Sequence, residues 1–590
     1  MKKLLKGLLS CAMVFSLVGC SSSESASSGS VLPVSIASEP ASLDPALNSS
    51  VDGATMIVHL FSGLAKWSQN SNGVLEIVAD VAEELVDPVE NADGTVTYTY
   101  TIRSDAKWSD GEPVKASDFE FAWQRANDQT YDYCYMFEVV SGYDDTQDDG
   151  GTLAVVADDT TNTLSVTCPV AVSYWNELLA FPAFMPVRED VVDDEGAWAT
   201  DPATYVCNGP YVISSWTHDS VIKLTKNENY YDADSITMPE IDFYLSDDAS
   251  TMLSNFKNGD WLMIDDVPTD EMESLAKDYP TEYVVEGQIG TYYVIFNMNE
   301  DLSPAGKTLT AEEQAEVRSA LALLLDRNYI VDDVVQGGQV PASSFVAMGM
   351  TDADGSQFYE NAGHNDGYVG YYNVDSAAFE ANCAEAVEIL SKYYTWDGAK
   401  FTDFPTMTYL YNTSSGHKAI AEYIQSAFAT YGITLNLENQ EWATFLETRK
   451  NGDYSIARNG WLADYNDPIC FLDMWTTASG NNDAQYGKGD HEAVAIYNLD
   501  LSGVSGYESY SVTNGTWSQT YDVLIKLIKT CKDTATRMQL MHVAEDLLMS
   551  TGAICPLYFY TDIYMISDKV SGFYSNPLGY KYFMYTTISE

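Results

Sequence analysis

Basic residues are scarce in this chain. Its 590 residues contain 29 Lys and Arg against 87 Asp and Glu, so the formal net charge is −58 at pH 7. Proteins that bind nucleic acids hold the phosphates with clustered cations, which this composition does not supply. We therefore exclude nucleic acid as a partner. The surplus of acidic residues is typical of a solvated surface that keeps a protein soluble.

Histidine and cysteine are also sparse, with 6 His and 9 Cys scattered along the chain. No C-x-x-C pair and no metal-ligand spacing occurs, so we expect no metal site and no cofactor. An odd number of cysteines follows residue 20, which leaves at least one unpaired in a monomer. We expect these residues to be small buried hydrophobic groups rather than a disulfide framework. They are Cys134, Cys168, Cys207, Cys383, Cys470, Cys531 and Cys555.

Familiar catalytic motifs are absent from the sequence. It contains no G-x-S-x-G, H-E-x-x-H, Walker or G-x-G-x-x-G pattern. Carboxylates are so abundant that their spacing cannot identify the acid pair of a glycosidase. The missing motifs do not exclude an enzyme, but they favour a binding protein, for which we predict no catalytic residues.

Long apolar runs are confined to the N-terminus. Three lysines lie within the first six residues and precede an apolar segment, residues 8–18, that is too short to span a bilayer as a stable helix. The sequence LVGC at residues 17–20, followed by three serines, resembles the bacterial lipobox, in which the cysteine is lipidated and becomes the first mature residue. The alternative is a signal peptide that merely contains a cysteine.

We predict that residues 1–19 form a signal peptide, that Cys20 carries the lipid, and that the small polar residues 20–30 form a flexible tether. No later segment is apolar enough to cross a membrane. The expected location is therefore outside the cytoplasm, with the N-terminal lipid anchoring the protein to the outer face of the bacterial cytoplasmic membrane.

Strand and helix patterns alternate unevenly along the chain. Period-2 alternation predicts strands at residues 96–102 and 433–437, and a short apolar run predicts another at 292–296. Such mixed elements in a chain of this length predict two or three α/β domains.

Helix starts are marked by capping boxes. One at Ser117–Glu120 predicts a helix through Trp123, and one at Thr310–Glu313 predicts a second helix. Apolar periodicity predicts further helices at residues 417–431, 441–451 and 534–550.

Two long blocks of sequence resemble a known family. The blocks are NQEWATFLETRKNGDYSIARNGWLADYNDP at residues 439–468 and AKWSDGEPVKASDFEFAWQRAND at residues 106–128. Both are closely similar to the solute-binding proteins of oligopeptide ABC importers. Shorter matching segments occur in family order, so the resemblance covers nearly the whole mature chain. These segments lie at residues 42–45, 208–211, 290–293 and 410–413.

The resemblance implies an α/β, two-lobed periplasmic-binding-protein fold of the large peptide-binding class, with an additional inserted domain. Ligand is enclosed between lobes that close on it. Mapped onto this sequence, the first lobe comprises residues 31–65, 206–288 and 558–590. The inserted domain comprises residues 66–205, and the second lobe comprises residues 289–557.

A receptor that accepts many peptides must recognise what all peptides share, which is the α-ammonium group, the backbone and the terminal carboxylate. By the resemblance, Asp464 pairs with the ammonium group, while Arg449, Arg458 and His417 serve the carboxylates of peptides of different lengths. The arginine fork suits a carboxylate because it donates two parallel hydrogen bonds. Local sequence alone favours a turn role for Asp464, and it leaves surface ion pairing for the arginines and a structural role for His417 open.

Aromatic residues complete the implied site. Trp442 and Trp461 are expected to wall side-chain pockets, although ordinary core packing is an equally good interpretation of Trp442. Four tyrosines are candidates to flank the peptide, and the sequence does not choose among them. They are Tyr292, Tyr293, Tyr558 and Tyr560.

The sequence thus predicts a monomeric, lipid-anchored receptor that captures short oligopeptides and delivers them to the membrane permease of an ABC importer. One alternative keeps the fold but binds a sugar, a nickel chelate, haem or a signalling peptide. A more distant alternative is a secreted carbohydrate-active enzyme, which the many acidic and aromatic residues permit.

Overall fold

The computed structural model describes residues 30–36, 39–70, 72–128, 130–143, 151–193, 196–363, 367–489 and 496–589. The predicted signal peptide, Cys20 and all of the tether except its last residue lie outside this part of the chain. None of the described helices combines the length and the hydrophobicity that a membrane span requires.

Strands occur along the whole described chain. In order they are β1 Val31–Ser35, β2 Ala65–Gln69, β3 Leu75–Ala79, β4 Val89–Glu90, β5 Val96–Thr101, β6 Val155–Asp158, β7 Thr163–Cys168, β8 Tyr211–Thr217, β9 Val221–Lys226, β10 Glu240–Tyr244, β11 Met263–Ile264, β12 Tyr283–Phe296, β13 Val340–Pro341, β14 Met407–Asn412, β15 Leu435–Gln440, β16 Ile456–Leu462, β17 Ile496–Asp500, β18 Ser511–Thr516, β19 Ile554–Ile566, β20 Val570–Ser571, β21 Tyr574–Ser575, β22 Lys581–Tyr582 and β23 Thr587–Ile588.

Helices alternate with these strands, as the sequence predicts. Those of seven residues or more in the described chain are α1 Val51–Leu60, α2 Ala116–Ala126, α3 Ala249–Asn258, α4 Met272–Asp278, α5 Ala311–Leu323, α6 Phe379–Leu390, α7 Ser415–Thr430, α8 Trp442–Lys450, α9 Trp517–Thr530 and α10 Thr534–Met549. Shorter helical turns connect several of them.

A mixed sheet of eleven described strands runs through the molecule. Ten of them follow the order β15-β14-β16-β12-β19-β11-β1-β10-β9-β8. The eleventh, β13, pairs with β19 outside this order. Neighbours β1 and β10 are parallel, as are β14 and β15, whereas β12 is antiparallel to both β16 and β19. One half of the sheet is therefore built from early strands and the other half from later ones.

The long strands β12 and β19 join the two halves. Residues 283–287 of β12 pair with the part of β19 that adjoins β11. Residues 290–296 of β12 pair with β16 on one side, and residues 291–295 also pair with β19 on the other. The register shifts between Gly287 and Thr291, at the junction of the two parts. All of the predicted domain bounds, including the one at residue 288, stay predictions.

A separate small sheet, in the order β4-β5-β7-β6, lies within the predicted inserted domain. Helix α2 packs on it, and Trp123 makes edge contacts there with the rings of Trp175 and Phe184. Arg125 of α2 binds Asp44 through two hydrogen bonds of 3.0 and 2.6 Å. This buried ion pair joins α2 to the segment between β1 and α1.

The capping residues of two helices differ in how well the sequence predicts them. Thr310 caps α5 as expected, since its Oγ1 accepts from the Glu313 N–H while the Glu313 carboxylate accepts from the Thr310 N–H. The capping box expected at Ser117 is wrong. The cap of helix α2 is Lys115, two residues earlier, and the Asp118 carboxylate accepts from the Lys115 N–H at 2.9 Å.

All seven described cysteines are free thiols, and five of them are buried. The two that are only partly buried are Cys383 and Cys531. The expectation of apolar cysteines rather than a disulfide framework is therefore confirmed for the described chain.

Candidate functional site

A cleft between the two lobes contains two adjoining cavities. The larger, of about 410 Å³, borders His417 and is here named the His417 cavity. The smaller, of about 300 Å³, borders Asp464 and is named the Asp464 cavity. Six residues border both, so the two cavities adjoin each other. These shared residues are Val51, Asp52, Trp442, Arg458, Leu462 and Tyr560.

Asp464 lies just beyond β16 and faces the smaller cavity. Its backbone N–H donates to Cys470 Sγ at 3.0 Å, and Tyr133 forms a hydrogen bond to its carboxylate. Burial raises the pKa of this carboxyl group well above its usual range, and the charge of Asp473 adds to the effect. No Lys, Arg or His of the described chain forms an ion pair with Asp464, so the ionised carboxylate would have no internal counterion.

Arg458 lies within β16, where it borders both cavities. Its guanidinium group sits over the rings of Tyr292 and Trp442, at 5.3 and 5.9 Å from their centroids. No carboxylate among the described residues pairs with it. Among the described residues, the charge of Arg458 is therefore in contact only with aromatic faces and hydroxyl groups.

His417 occupies the first turn of α7, which Ser414 caps. Its Nδ1 lies 3.3 Å from the Tyr292 hydroxyl. Burial and the nearby Arg458 charge lower the pKa of His417 well below its usual range, so the ring is neutral at pH 7. It therefore offers a hydrogen bond to a ligand rather than a positive charge.

Arg449 differs from Arg458 although both border the Asp464 cavity. Its Nε lies 2.8 Å from Asp483 Oδ2, and its Nη1 donates to Asn459 Oδ1 at 2.9 Å. The protein therefore compensates the Arg449 charge internally. A ligand carboxylate would have to compete with Asp483 for this group.

The predicted tryptophans and two of the tyrosines line the cleft. Trp461 borders the Asp464 cavity, and its indole N–H donates to the Cys470 carbonyl oxygen at 3.0 Å. Trp442 is only half-buried and stacks on Phe445 inside α8. Tyr558 and Tyr560 border the His417 cavity.

The other two candidate tyrosines border neither cavity. Tyr292 stacks on Tyr558 at 4.8 Å and supports the cleft from behind. Tyr293 points to the opposite face of the sheet, since neighbouring residues of a strand alternate. There its ring contacts Phe345 and Trp475 in the core of the second lobe.

Several cleft residues are not found by reasoning from the sequence. Asp52 borders both cavities from the first turn of α1, where the Ser50 cap is a recognisable helix start. Tyr133 comes from the inserted domain and Tyr580 from the C-terminal tail. Their sequence neighbourhoods carry no motif that points to a cleft.

Contacts outside the two cavities join the segment between α2 and β8 to later parts of the chain. Lys529 Nζ of α9 lies 2.8 Å from Glu138 and 3.1 Å from Asp473. Tyr174 and Tyr465 stack with ring centroids 4.4 Å apart.

Residues 76–483, more than half of the chain, match the family model described as bacterial extracellular solute-binding proteins, family 5 Middle. The dipeptide-binding protein DppE of Bacillus subtilis (strain 168) is 29% identical over 98% of this chain and 98% of its own. The oligopeptide-binding protein OppA of the same organism is 30% identical over 94% of this chain and 91% of its own.

Solved structures agree with these sequence matches. The murein tripeptide-binding protein MppA of Escherichia coli has a TM-score of 0.77 at 26% identity, over 95% of this chain and 99% of that one. Against the unliganded open form of MppA the TM-score is 0.56 at 25% identity, over 95% and 98% of the two chains. The lobes here are thus arranged differently from that open form, and the predicted two-lobed α/β fold is confirmed. The chain belongs to the bacterial extracellular solute-binding proteins of family 5.

Proposed function

We propose that this protein is a lipid-anchored receptor that captures short oligopeptides in its cleft and delivers them to the permease of an ABC importer. Family membership supports solute binding outside the cytoplasm. Relatives named for dipeptides and oligopeptides align over nearly the whole chain, which supports peptides as the solute.

The observation that carries this proposal is the charge pattern of the cleft. Asp464 and Arg458 both face the enclosed space, and neither forms an ion pair with another described residue. A zwitterionic peptide supplies both missing charges, an ammonium group for Asp464 and a carboxylate for Arg458. In a closed site these pairs form at low effective dielectric, which strengthens them.

The spacing of these groups suits a short peptide. Asp464 and Arg458 are six residues apart along β16 and the residues that follow it. At roughly 3.3 Å per residue their Cα atoms lie at most about 20 Å apart, and the two side chains bridge part of that distance. An extended peptide of a few residues spans the remainder, and longer ones would extend into the larger cavity, which His417 borders.

Further parts of the proposal rest on the N-terminal sequence and on the relatives. We assign Cys20 as the lipidated residue that anchors the chain to the outer face of the cytoplasmic membrane. The protein acts as a monomer and binds its ligand without converting it. Mass spectrometry of the full-length chain purified from membranes would detect the acylated Cys20, and a Cys20→Ser variant would be released as soluble protein.

Calorimetry with capped peptides tests the proposed ligand. The full-length chain in detergent micelles is titrated with tri- to pentapeptides and with the same peptides acetylated at the N-terminus or amidated at the C-terminus. We expect binding of the free peptides and strong weakening by either cap. Absence of any peptide binding by folded protein would contradict the proposal, and equal binding of capped peptides would contradict the roles of Asp464 and Arg458.

A further inference from the structure

The lining of the His417 cavity is strongly acidic. Five carboxylates border it, against two side chains that carry a positive charge at neutral pH. The cations are Arg458 and Lys581. The carboxylates are Asp52, Asp247, Asp265, Asp266 and Asp562.

Lys581 does not balance this excess. Its Nζ lies 2.8 Å from Asp265 Oδ1 and 3.1 Å from Asp562 Oδ2, so one buried ammonium group is shared between two carboxylates. Burial raises the pKa of Asp265, although the charge of Lys581 opposes the shift. Lys581 is therefore held by these two carboxylates and forms no ion pair with Asp52, Asp247 or Asp266.

Two further carboxylates have no counterion among the described residues. Asp266 is half-buried, and burial raises its pKa to about 6. Asp52 Oδ2 is buried without a hydrogen-bond partner, and burial raises the pKa of this group as well. Both carboxylates would be stabilised in their charged form by a positive group of the ligand.

An independent observation comes from Asn412, the last residue of β14, which borders the same cavity. Only 8% of this residue is exposed, and its Oδ1 is a buried acceptor with no hydrogen-bond partner in the described chain. Buried acceptors normally receive a hydrogen bond, so we expect the ligand to donate one to Asn412 Oδ1. Ammonium and guanidinium groups carry several donors and no acceptor.

The arrangement does not suit a metal ion. Within the described residues no group of three or more His, Cys, Asp or Glu side chains is placed to hold a metal. The acidic groups are instead spread around a cavity of about 410 Å³. This dispersion suits the long and flexible side chain of Lys or Arg, which reaches one of several carboxylates.

We propose that the His417 cavity selects peptides that carry a Lys or Arg side chain in their C-terminal half. This inference rests on the proposed function, in which the peptide N-terminus lies at Asp464 and the chain runs past Arg458. The residues beyond that point enter the His417 cavity. Asp52, Asp266 and Asn412 face them, with Asp247 at the exposed edge.

A positional scan of pentapeptides tests this selectivity. The full-length protein is titrated calorimetrically with alanine-based pentapeptides that carry one Lys, one norleucine or one Glu at position 2, 4 or 5. We expect Lys at position 4 or 5 to bind roughly tenfold more tightly than norleucine, and Glu to bind more weakly still. At position 2 the preference for Lys over norleucine should be much smaller, although a peptide with Lys at position 2 has the same net charge as one with Lys at position 4 or 5.

Variants of the acidic lining locate the effect. Asp247→Asn combined with Asp266→Asn should remove most of the preference for Lys over norleucine. Asp270→Asn is the matched control, because Asp270 is exposed on the same segment but does not border the cavity. Circular dichroism melting curves establish that all three proteins are folded.

The possible results separate the two proposals. A flat scan with measurable binding overturns the charge selectivity and leaves the peptide receptor intact. Equal loss of preference in the Asp270→Asn control overturns the assignment to this cavity, since it would reflect the long-range field of an acidic protein. No binding of any pentapeptide overturns the proposed function and the selectivity together.

Discussion

In the Asp464 cavity the protein pairs its own Arg449 with Asp483, whereas in the His417 cavity one lysine is shared between two carboxylates and further acids have no counterion. Beyond that pair, Asp464 and Arg458 of the first cavity are left for a ligand, and Asp52 borders both cavities. In the second cavity, five carboxylates stand against two basic side chains. This difference is the basis of our proposals that one end of the cleft recognises a feature common to all peptides and that the other end distinguishes among them.

The largest expected effect is on the acidic group of the first cavity. Asp464→Asn removes the charge that pairs with the peptide ammonium group, and we expect a loss of about 3–5 kcal/mol, more than a hundredfold in Kd. Calorimetry with a tripeptide measures it. Asp453→Asn, at an exposed position, is the control. A non-zwitterionic ligand whose binding survives Asp464→Asn would instead favour the alternative solutes.

The two arginines of the same cavity should respond in opposite ways. Arg449→Met leaves Asp483 buried without its cation, so we expect the free energy of unfolding to fall by about 3 kcal/mol. Denaturant unfolding measures this loss. The double variant Arg449→Met with Asp483→Asn should regain most of the stability. If the single variant were as stable as the parent protein, the Arg449–Asp483 ion pair would not contribute to stability.

Arg458→Met should act on binding rather than on folding. Since Arg458 has no acidic partner in the described chain, we expect little change in stability. Peptide affinity should fall by about 2 kcal/mol through loss of charged hydrogen bonds to the carboxylate. The same peptide amidated at its C-terminus is the control, because it should bind the variant and the parent protein alike. A large loss of stability would contradict this division of roles.

Peptide binding should release a proton. The pKa of Asp464 is raised in the free protein, and pairing with an ammonium group favours the ionised carboxylate, so affinity should fall as the pH is lowered. Titrations at pH 7 with an alanine tripeptide, in two buffers of different ionisation enthalpy, measure the release. Identical heats in both buffers would contradict the expected ionisation of Asp464.

The smallest expected effect concerns the face of β12 that turns away from the cleft. Tyr293→Phe removes a buried hydroxyl group for which the described chain offers no hydrogen-bond partner. We expect unchanged peptide affinity and a stability equal to or up to about 1 kcal/mol above that of the parent. Tyr558→Ala, on the cleft side, is the contrasting variant and should weaken binding. Weakened binding by Tyr293→Phe would contradict the observed orientation.

Much of the cleft could be predicted because its recognition groups lie close together in sequence. Asp464, Arg458 and Trp461 belong to one block around β16, and the structure places all three at the Asp464 cavity. Arg449 lies in the same block and borders the same cavity, but its partner Asp483 comes from a later segment. No local pattern predicts that this ion pair forms.

The tyrosines show a second limit of the sequence. Residues 289–296 of β12 are buried on both faces, so alternation of apolar and polar residues does not indicate which side chains face the cleft. Tyr293 packs against Phe345 and Trp475 on one side of the sheet, and Tyr292 packs against Tyr558 on the other. These contacts determine which way each side chain points.

The sequence by itself determined the family, the alternation of helices and strands, and the acidic group that faces the smaller cavity, because these depend on local patterns and contiguous blocks. Only the tertiary structure decided which charges the protein neutralises for itself. The acidic lining of the larger cavity is assembled from α1, the β11 region and β19, together with the segment before α3. Charge balance is a property of groups brought together in space, and segments hundreds of residues apart reveal it only once they are folded against each other.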